Sequence, residues 1–116
     1  MYSKTMYSSE LLKGTLQTIL LKILNDNGRM YGYEITQKVK ELSDERILLT
    51  EGSLYPALHK LESEGLLTTN IEFIGKRKRK YYELTVSGSS LLDQKITEFT
   101  EFVKTISVVL KLQPAF

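Results

Sequence analysis

The chain has 116 residues, of which 41% are hydrophobic and 26% charged, with 16 lysines and arginines against 14 aspartates and glutamates. This composition is ordinary for one globular domain with a core of its own. The chain has no cysteine, which excludes disulfides, thiolate catalysis and cysteine-ligated metal sites. It has one histidine, which alone cannot build a metal site or a catalytic triad.

The N-terminal residues MYSKTMYSSE lack the apolar core of a secretory signal. The most apolar run, LQTILLKIL (16–24), contains Gln17, Thr18 and Lys22 and is far shorter than the roughly 20 residues that cross a bilayer. We therefore expect a cytoplasmic protein without a membrane partner.

Two amphipathic helices are predicted first, over about residues 9–26 and 32–42. Asn27 and Gly28 would end the first helix with a left-handed C-cap. A connector, SDERILLT (43–50), follows the second helix. The apolar residues expected to face the core are Leu12, Leu16, Ile19 and Ile23 in the first helix, and Ile35, Val39 and Leu42 in the second.

A third helix is predicted within EGSLYPALHKLESEGLL (51–67), and Gly65 would end it in a Schellman motif. With Ser53 as the N-cap, Pro56 falls at the third helical position, where its missing N–H has no intrahelical acceptor to lose. The inward-facing stripe of this helix is Leu54, Leu58 and Leu61.

After Gly65 the apolar period changes from helical to two, which predicts a β-hairpin. In its first strand Leu67, Thr69, Ile71 and Phe73 share one face. In its second strand Tyr82 and Leu84 point to the core, and Tyr81 is more exposed. The tip of the hairpin would be IGKRKR (74–79).

Residues 76–80, the basic stretch, hold five of the sixteen basic residues, which leaves eleven against fourteen acids elsewhere. Charge runs are usually hydrated surface. On a protruding hairpin, however, five neighbouring cations repel one another unless solvent or a polyanion screens them, and a nucleic-acid backbone gains affinity by releasing counterions. The basic stretch therefore favours contact with DNA.

The last predicted helix runs from about Thr85 to Leu112, before Pro114, and is roughly 40 Å long. Phe102 and Val109 broaden its apolar surface beyond what one small domain can cover, so we expect a second chain to pack on it. The alternative is packing on the first helix of the same chain, and both are expected. The heptad seam comprises Leu92, Ile96, Phe99, Val103, Ile106 and Leu110.

The order helix–helix–helix–hairpin–helix predicts a mainly α fold with a small β-hairpin, a winged helix-turn-helix. Residues 1–85 would form the DNA-binding domain, whose first helix also packs at the dimer interface, and residues 86–116 would form the C-terminal dimerisation helix. The third helix would enter the major groove of double-stranded DNA, and the hairpin would reach the flanking backbone.

Four segments resemble the PadR-like transcriptional regulators: LLKGTLQTILLKIL (11–24), MYGYEI (30–35), TEGSLYPALHKLESEGLL (50–67) and GKRKRKYYELTVSG (75–88). The resemblance implies a homodimeric bacterial repressor of a two-fold operator, released by a small molecule or a stress signal. It also implies a short-form member that dimerises through its single C-terminal helix. Multidrug-responsive members hold flat aromatic ligands at the dimer interface.

Position and resemblance together give the candidate DNA-contact residues Tyr33, Ser53, Tyr55, Pro56, Lys60, Lys76, Arg77, Lys78, Arg79 and Lys80. Three of them have structural alternatives. Tyr33 could be a capping aromatic in the core, Tyr55 could pack on its own helix, and Lys60 could be only solvated. The pattern leaves open whether an arginine enters the minor groove or contacts phosphate alone.

A pocket for a small hydrophobic or aromatic effector could form at the dimer interface, lined by Leu12, Leu16, Phe99 and Val103. The chain has no tryptophan, so a drug sandwich between paired indoles is not expected, and Phe99 or Phe102 would serve instead. We expect no cofactor, metal or enzymatic activity. The alternative function is a winged-helix module that binds a protein and no DNA.

Overall fold

A computed structural model describes residues 6–113. Residues 1–5 and 114–116, which are the ends of the two predicted domains and include Pro114, lie outside the described residues. The helices are α1 (Ser9–Lys13), α2 (Leu16–Asn27), α3 (Gly32–Leu42), α4 (Glu51–Ser63) and α5 (Val86–Val109). The strands are β1 (Met30–Tyr31), β2 (Leu67–Ile74) and β3 (Arg77–Leu84).

The core lies where α2, α3, α4 and the sheet meet. The predicted stripe of α4, which is Leu54, Leu58 and Leu61, is buried there, as are Ile35 and Val39 of α3. The prediction for Leu42 is wrong, because its side chain is 68% exposed. Leu42 is the last residue of α3, and Ile47 and Leu49 of the connector pack against the core instead.

The first predicted helix is two helices, because α1 ends at Gly14 and α2 begins after Thr15. Glycine is a poor residue for a helix interior. The backbone N–H of Thr15 donates to the carbonyl of Leu12 at 3.0 Å, and the Thr15 hydroxyl donates to the same carbonyl at 3.1 Å. The predicted end at Gly28 is confirmed, with φ +75°.

Helix α4 starts earlier than predicted, because its N-cap is Thr50 and not Ser53. The Thr50 hydroxyl accepts from the backbone N–H of Ser53 at 3.2 Å. Pro56 is therefore the sixth residue of the helix, and the carbonyl of Gly52 lacks its usual i+4 donor. Gly52 is exposed, so that carbonyl is open to water.

The end of α4 is the predicted Schellman motif. Gly65 has φ +76°, the N–H of Leu66 donates to the carbonyl of Leu61 at 2.9 Å, and the N–H of Gly65 donates to that of Glu62 at 3.0 Å. The hydroxyl of Thr85, the N-cap of α5, donates to the carbonyl of Gly65 at 2.8 Å. The start of α5 is thus fixed to the end of α4.

The sheet is antiparallel in the order β1-β3-β2. Its hairpin pairs Leu67 with Leu84 at the base and Ile74 with Arg77 at the end, so the connecting loop is only two residues, 75 and 76. The predicted tip, 74–79, is therefore too long. Gly75, with φ +63°, occupies the first loop position, where a tight hairpin turn accepts glycine.

These elements confirm the predicted fold class, a mainly helical winged helix-turn-helix with a long C-terminal helix. Helix α5 packs on α2, and the residues at its C-terminal end, Val108, Val109 and Leu110, are exposed. The radius of gyration is 15.8 Å, against roughly 13 Å for a compact chain of this length. Within residues 6–113, no helix combines the length and the hydrophobicity needed to cross a bilayer.

Candidate nucleic-acid interface

The pairing of β3 with β2 separates the lysines of the basic stretch from its arginines. Lys78 and Lys80 lie on the same face as Tyr82, the face that packs on the core. Arg77 and Arg79 lie on the opposite face. The basic stretch is therefore a paired strand with two chemically different surfaces. We call the hairpin of β2 and β3, residues 67–84, the wing.

On the arginine face, two aromatic rings contact each other, and one guanidinium lies over each ring. The guanidinium of Arg79 lies 4.4 Å from the centre of the Tyr31 ring, and that of Arg29 lies 4.6 Å from the centre of the Tyr81 ring. The two rings meet edge to face at 5.5 Å. Arg29 also forms an ion pair with Glu72 of β2, and this hydrogen bond raises the pKa of Arg29.

The Arg/Tyr cluster, which comprises Arg29, Tyr31, Arg79 and Tyr81, was not predicted from the sequence. Tyr31 lies in β1, and Arg29 immediately precedes it. This strand has only two residues and is too short to show an alternation of apolar and polar residues. The only available signal was the interleaving of aromatic and basic residues in RMYGY (29–33) and RKYY (79–82).

Tyr33 lies next to this cluster at the start of α3. Its ring stacks 6.5 Å from that of Tyr31, and its side chain is 62% exposed. The alternative that Tyr33 is a core aromatic is therefore excluded. The start of α3 is fixed by Glu34, whose carboxylate accepts from the backbone N–H of Tyr31 at 3.2 Å.

Tyr55 joins α4 to the start of α3. Its hydroxyl and ring lie so close to Gly32 that a Cβ at that position would clash with both. Gly32 therefore permits the close approach of the two helices. Tyr55 remains 42% exposed on the outer side. Its ring packs on α3, whereas the structural alternative placed it on its own helix.

The other predicted residues of α4 are exposed: Ser53, Pro56 and Lys60, with His59 between the last two. The hydroxyl of Ser53 donates to the carbonyl of Thr50 at 3.1 Å, so it lies at the N-terminus of the helix. Together with the exposed part of Tyr55, these residues form the outer surface of α4.

Within residues 6–113, Lys80 is the one predicted DNA-contact residue of the wing that forms an ion pair with α4. Its ammonium lies 3.2 Å from one carboxylate oxygen of Glu62, and the other accepts from the Thr69 hydroxyl at 2.9 Å. These hydrogen bonds, that from Thr69 first, lower the pKa of Glu62. Lys80 thus braces the wing against α4, while Lys76, Arg77 and Lys78 extend into solvent.

The predicted DNA-contact residues consequently fall on connected elements. Arg79 contacts Tyr31, Tyr31 contacts Tyr33, and Tyr55 contacts Gly32 between these two tyrosines. The N-terminus of α3, the N-terminal half of α4 and the arginine face of the wing therefore meet around β1. Burial of Tyr82 beneath them raises its pKa.

The free face of α5 carries most of the predicted dimer seam. Phe99 is 46% exposed and Leu110 is 60% exposed, Ile96 is also exposed, and Val103 and Ile106 are half-buried. Leu92 differs, because it lies in the core of its own chain with 2% of its surface exposed. Leu92 is therefore unavailable to a second chain.

In the part of the chain that the structure describes, the predicted effector-pocket residues fall in different grooves. Leu12 and Leu16 line a groove of about 450 Å³ against Leu48 and Leu49 of the connector. Phe99 lines another groove, of about 370 Å³, with Ile19 and Ile96. Leu12 and Leu16, on either side of the break at Gly14, thus share the groove beside the connector, whereas Phe99 lies against Thr18 and Ile19 of α2. Residues 6–113 contain no group of histidine and carboxylate side chains that could hold a metal ion.

Comparisons with known proteins agree with this architecture. Residues 20–94 match the family model of the transcriptional regulator PadR-like family. A transcriptional regulator from Clostridium thermocellum is 31% identical, with 85% of this chain and 96% of that chain covered and a TM-score of 0.80. Transcriptional regulator Rv3488 of Mycobacterium tuberculosis is 29% identical over 97 residues, which are 84% of this chain and 87% of that protein. Bacillus subtilis PadR, in complex with operator DNA, is 31% identical, with 71% of this chain and 47% of that chain covered and a TM-score of 0.65.

Proposed function

This chain belongs to the PadR-like family of transcriptional regulators, and from that premise we propose that it is a homodimeric repressor of a two-fold operator. The observation that carries the proposal is the meeting of the N-terminus of α3, the N-terminal half of α4 and the arginine face of the wing around Tyr31. The complex of Bacillus subtilis PadR with operator DNA supports the same use of the fold. The proposed place of action is the cytoplasm.

Helix α4 is the proposed recognition helix. A major groove about 12 Å wide admits an α-helix, and the N-terminal residues of such a helix approach the base edges. Ser53, Tyr55 and Pro56 are the exposed residues at that end. Lys60, one turn further along, would contact the phosphate backbone, as would Tyr33 from the start of α3.

The wing would bind the backbone beside the major-groove site. Lys76, Arg77 and Lys78 are exposed, and each phosphate that they neutralise would release counterions. Arg79 would contact phosphate from its fixed position on Tyr31. Lys80 would first have to leave Glu62 before it could contact DNA, so we assign it mainly to bracing the wing.

Dimerisation would occur through α5, with residues 6–85 as the described part of the DNA-binding domain. The free face of α5 offers Ile96, Phe99, Val103, Ile106 and Leu110 to α1 and α2 of a partner. A two-fold axis there would present two copies of α4 to half-sites about one helical turn apart. The groove lined by Ile19, Ile96 and Phe99 would then lie at the interface and take a flat hydrophobic effector that releases the operator.

A titration followed by fluorescence anisotropy tests the proposal. Labelled duplexes from the chain's own promoter region are titrated with protein between about 50 and 200 mM salt. We expect binding of one promoter fragment well above that of an unrelated duplex of equal length. Equal affinity for all duplexes would contradict an operator. Failure to bind any duplex at the lowest salt would favour the winged-helix module that binds a protein instead.

A further inference from the structure

Strand β2 carries three large apolar side chains outside the core. Ile71 is 46% exposed, Phe73 is 70% exposed and Ile74 is 50% exposed. The last core residue of the strand is Leu67, and Phe73 lies six residues further on, roughly 20 Å away at about 3.4 Å per residue. These side chains therefore cannot reach the core of their own chain.

A strand with several exposed apolar side chains is unusual at the edge of a sheet. Among residues 6–113, the order β1-β3-β2 leaves β2 with one unpaired side, and exposed apolar edge strands promote edge-to-edge association. Here each apolar residue has a cation directly opposite on β3: Lys80 faces Ile71, Lys78 faces Phe73 and Arg77 faces Ile74. A second copy pairing along this edge would bring two basic stretches together, which like-charge repulsion opposes.

The alternation of apolar and cationic groups fits the minor groove of DNA. Phosphates form the rims of that groove, and its walls and floor are sugars and base edges, which apolar wedges contact. The groove is roughly 6 Å wide and admits a side chain. Gly75 forms half of the two-residue loop and adds no side chain, so Phe73 is the last apolar side chain on its face of β2 before the tip of the wing.

We propose that Phe73 is a minor-groove contact residue whose ring enters the groove beside the α4 site while Lys76 and Lys78 bind the flanking phosphates. The proposal rests on the proposed DNA binding and adds to it an apolar contact with a distinct salt signature. Cations contribute to the salt slope through counterion release. A buried ring contributes by removing apolar surface from water, which does not change the number of released counterions.

Two variants test this contact. Phe73→Ala should weaken binding to the promoter duplex roughly 10-fold, through loss of the buried ring, with the slope of log K against log salt unchanged. Because the chain has no tryptophan, Phe73→Trp introduces a unique indole reporter. Its emission should be quenched when the duplex is added, since bases stack on or contact the ring. The matched control is Val86→Trp, 89% exposed at the base of the wing, whose emission should not change.

The outcomes separate the two proposals. If wild-type protein binds the duplex and the Phe73→Trp emission does not respond, the ring stays in solvent, and the Phe73 proposal fails while DNA binding stands. A Phe73→Ala variant with wild-type affinity overturns it in the same way. An emission change that follows protein concentration without DNA identifies a second copy as the occupant and also overturns it. Failure of the wild-type protein to bind any duplex overturns both proposals.

Discussion

The guanidinium of Arg79 lies over the ring of Tyr31, 4.4 Å from its centre. This contact connects the middle of β3 to the residue immediately before α3. Because Tyr31 also contacts Tyr81 edge to face, the arginine rests on a surface that is itself fixed. Arg79 is thus held near Tyr33 and the start of α3 before any DNA arrives.

Removal of the Tyr31 ring should weaken DNA binding, although Tyr31 is not itself one of the proposed DNA contacts. Tyr31→Leu deletes the cation–π contact, which is worth roughly 0.5–2 kcal/mol, and so releases Arg79 into many conformations. We expect an affinity loss of several-fold in an anisotropy titration. Tyr31→Phe keeps the ring and should bind within about twofold of wild type. Equal losses for both variants would mean that the hydroxyl, and not the stacking, matters.

The wing cations should determine the salt dependence of binding. If each wing neutralises about three phosphates, the dimer should show a slope of log K against log salt near −5. The triple variant Arg77→Ala, Lys78→Ala, Arg79→Ala should flatten this slope and weaken all sequences about equally. Its charge-matched control removes Arg46, Lys104 and Lys111, which are exposed and belong neither to the wing nor to the predicted seam. An unchanged slope in the wing variant would remove the wing from the interface.

The parts of the fold that sequence alone predicted are those with a long, regular pattern. The stripe of Leu54, Leu58 and Leu61 and the end of α4 at Gly65 have local causes, namely helical spacing and a positive φ. The start of α4 was missed because Thr50 and Ser53 are both acceptable N-caps. Only the course of the backbone decides between them.

The candidate site also combines features that a local sequence pattern predicted with features that it did not. That the basic stretch would lie on a hairpin followed from the period-two pattern, but which cations share a face depends on the register with β2. The contact between Arg79 and Tyr31 depends in addition on β1, whose pairing with β3 joins residues about fifty positions apart. Pairing over such separations leaves no local signal in a two-residue strand.

The close approach of Tyr55 to Gly32 should make that glycine irreplaceable. Gly32→Ala places a methyl group against the ring and hydroxyl of Tyr55, and overpacking of this kind costs roughly 1–3 kcal/mol. Urea denaturation should show a lower free energy of unfolding. In contrast, Gly52→Ala meets only the Thr50 hydroxyl oxygen, at 3.9 Å, and should stabilise the exposed helix by about 0.5–1 kcal/mol.

A second substitution distinguishes the clash from a simple effect on α3. Tyr55→Leu removes the hydroxyl and the distal ring atoms that a methyl group at Gly32 would meet. The double variant should therefore lose less stability than the sum of the two single variants, because neighbouring residues that share a contact are not additive. Additive losses would show that the alanine acts elsewhere.

The brace between the wing and α4 should be sensitive to acid. Hydrogen bonds from Thr69 and Lys80 lower the pKa of Glu62 below its usual value of 4.5 in the folded chain. The stabilisation is therefore fully present above that value and is lost as the pH falls through the lowered pKa. Glu62→Gln should reduce the free energy of unfolding by a few tenths to about 1 kcal/mol at pH 7.

The difference between Glu62→Gln and wild type should shrink when urea denaturation is repeated at decreasing pH below 4.5. Glu64→Gln, two residues along at the exposed end of α4, is the matched control and should leave the free energy of unfolding at pH 7 close to that of wild type. A difference between the Glu62 variant and wild type that is independent of pH would contradict a role for the ionised carboxylate.

The free face of α5 should be required for dimerisation and not for folding of the chain. Phe99 is 46% exposed and Val103 is half-buried, so aspartates there remain hydrated in a folded monomer. In a dimer both aspartates would be buried, at a cost of several kcal/mol for each ion. Sedimentation of the double variant Phe99→Asp, Val103→Asp should therefore report a monomer with a wild-type circular dichroism spectrum.

The control for this experiment is Val86→Asp, which adds a charge at the 89%-exposed first residue of α5 and should leave the dimer intact. Leu92→Asp would not serve the same purpose, because Leu92 lies in the chain's own core and its replacement should unfold the domain. If the double variant at Phe99 and Val103 still sediments as a dimer, the two chains meet on another surface. The groove of Ile19, Ile96 and Phe99 would then open to solvent and could not enclose an effector.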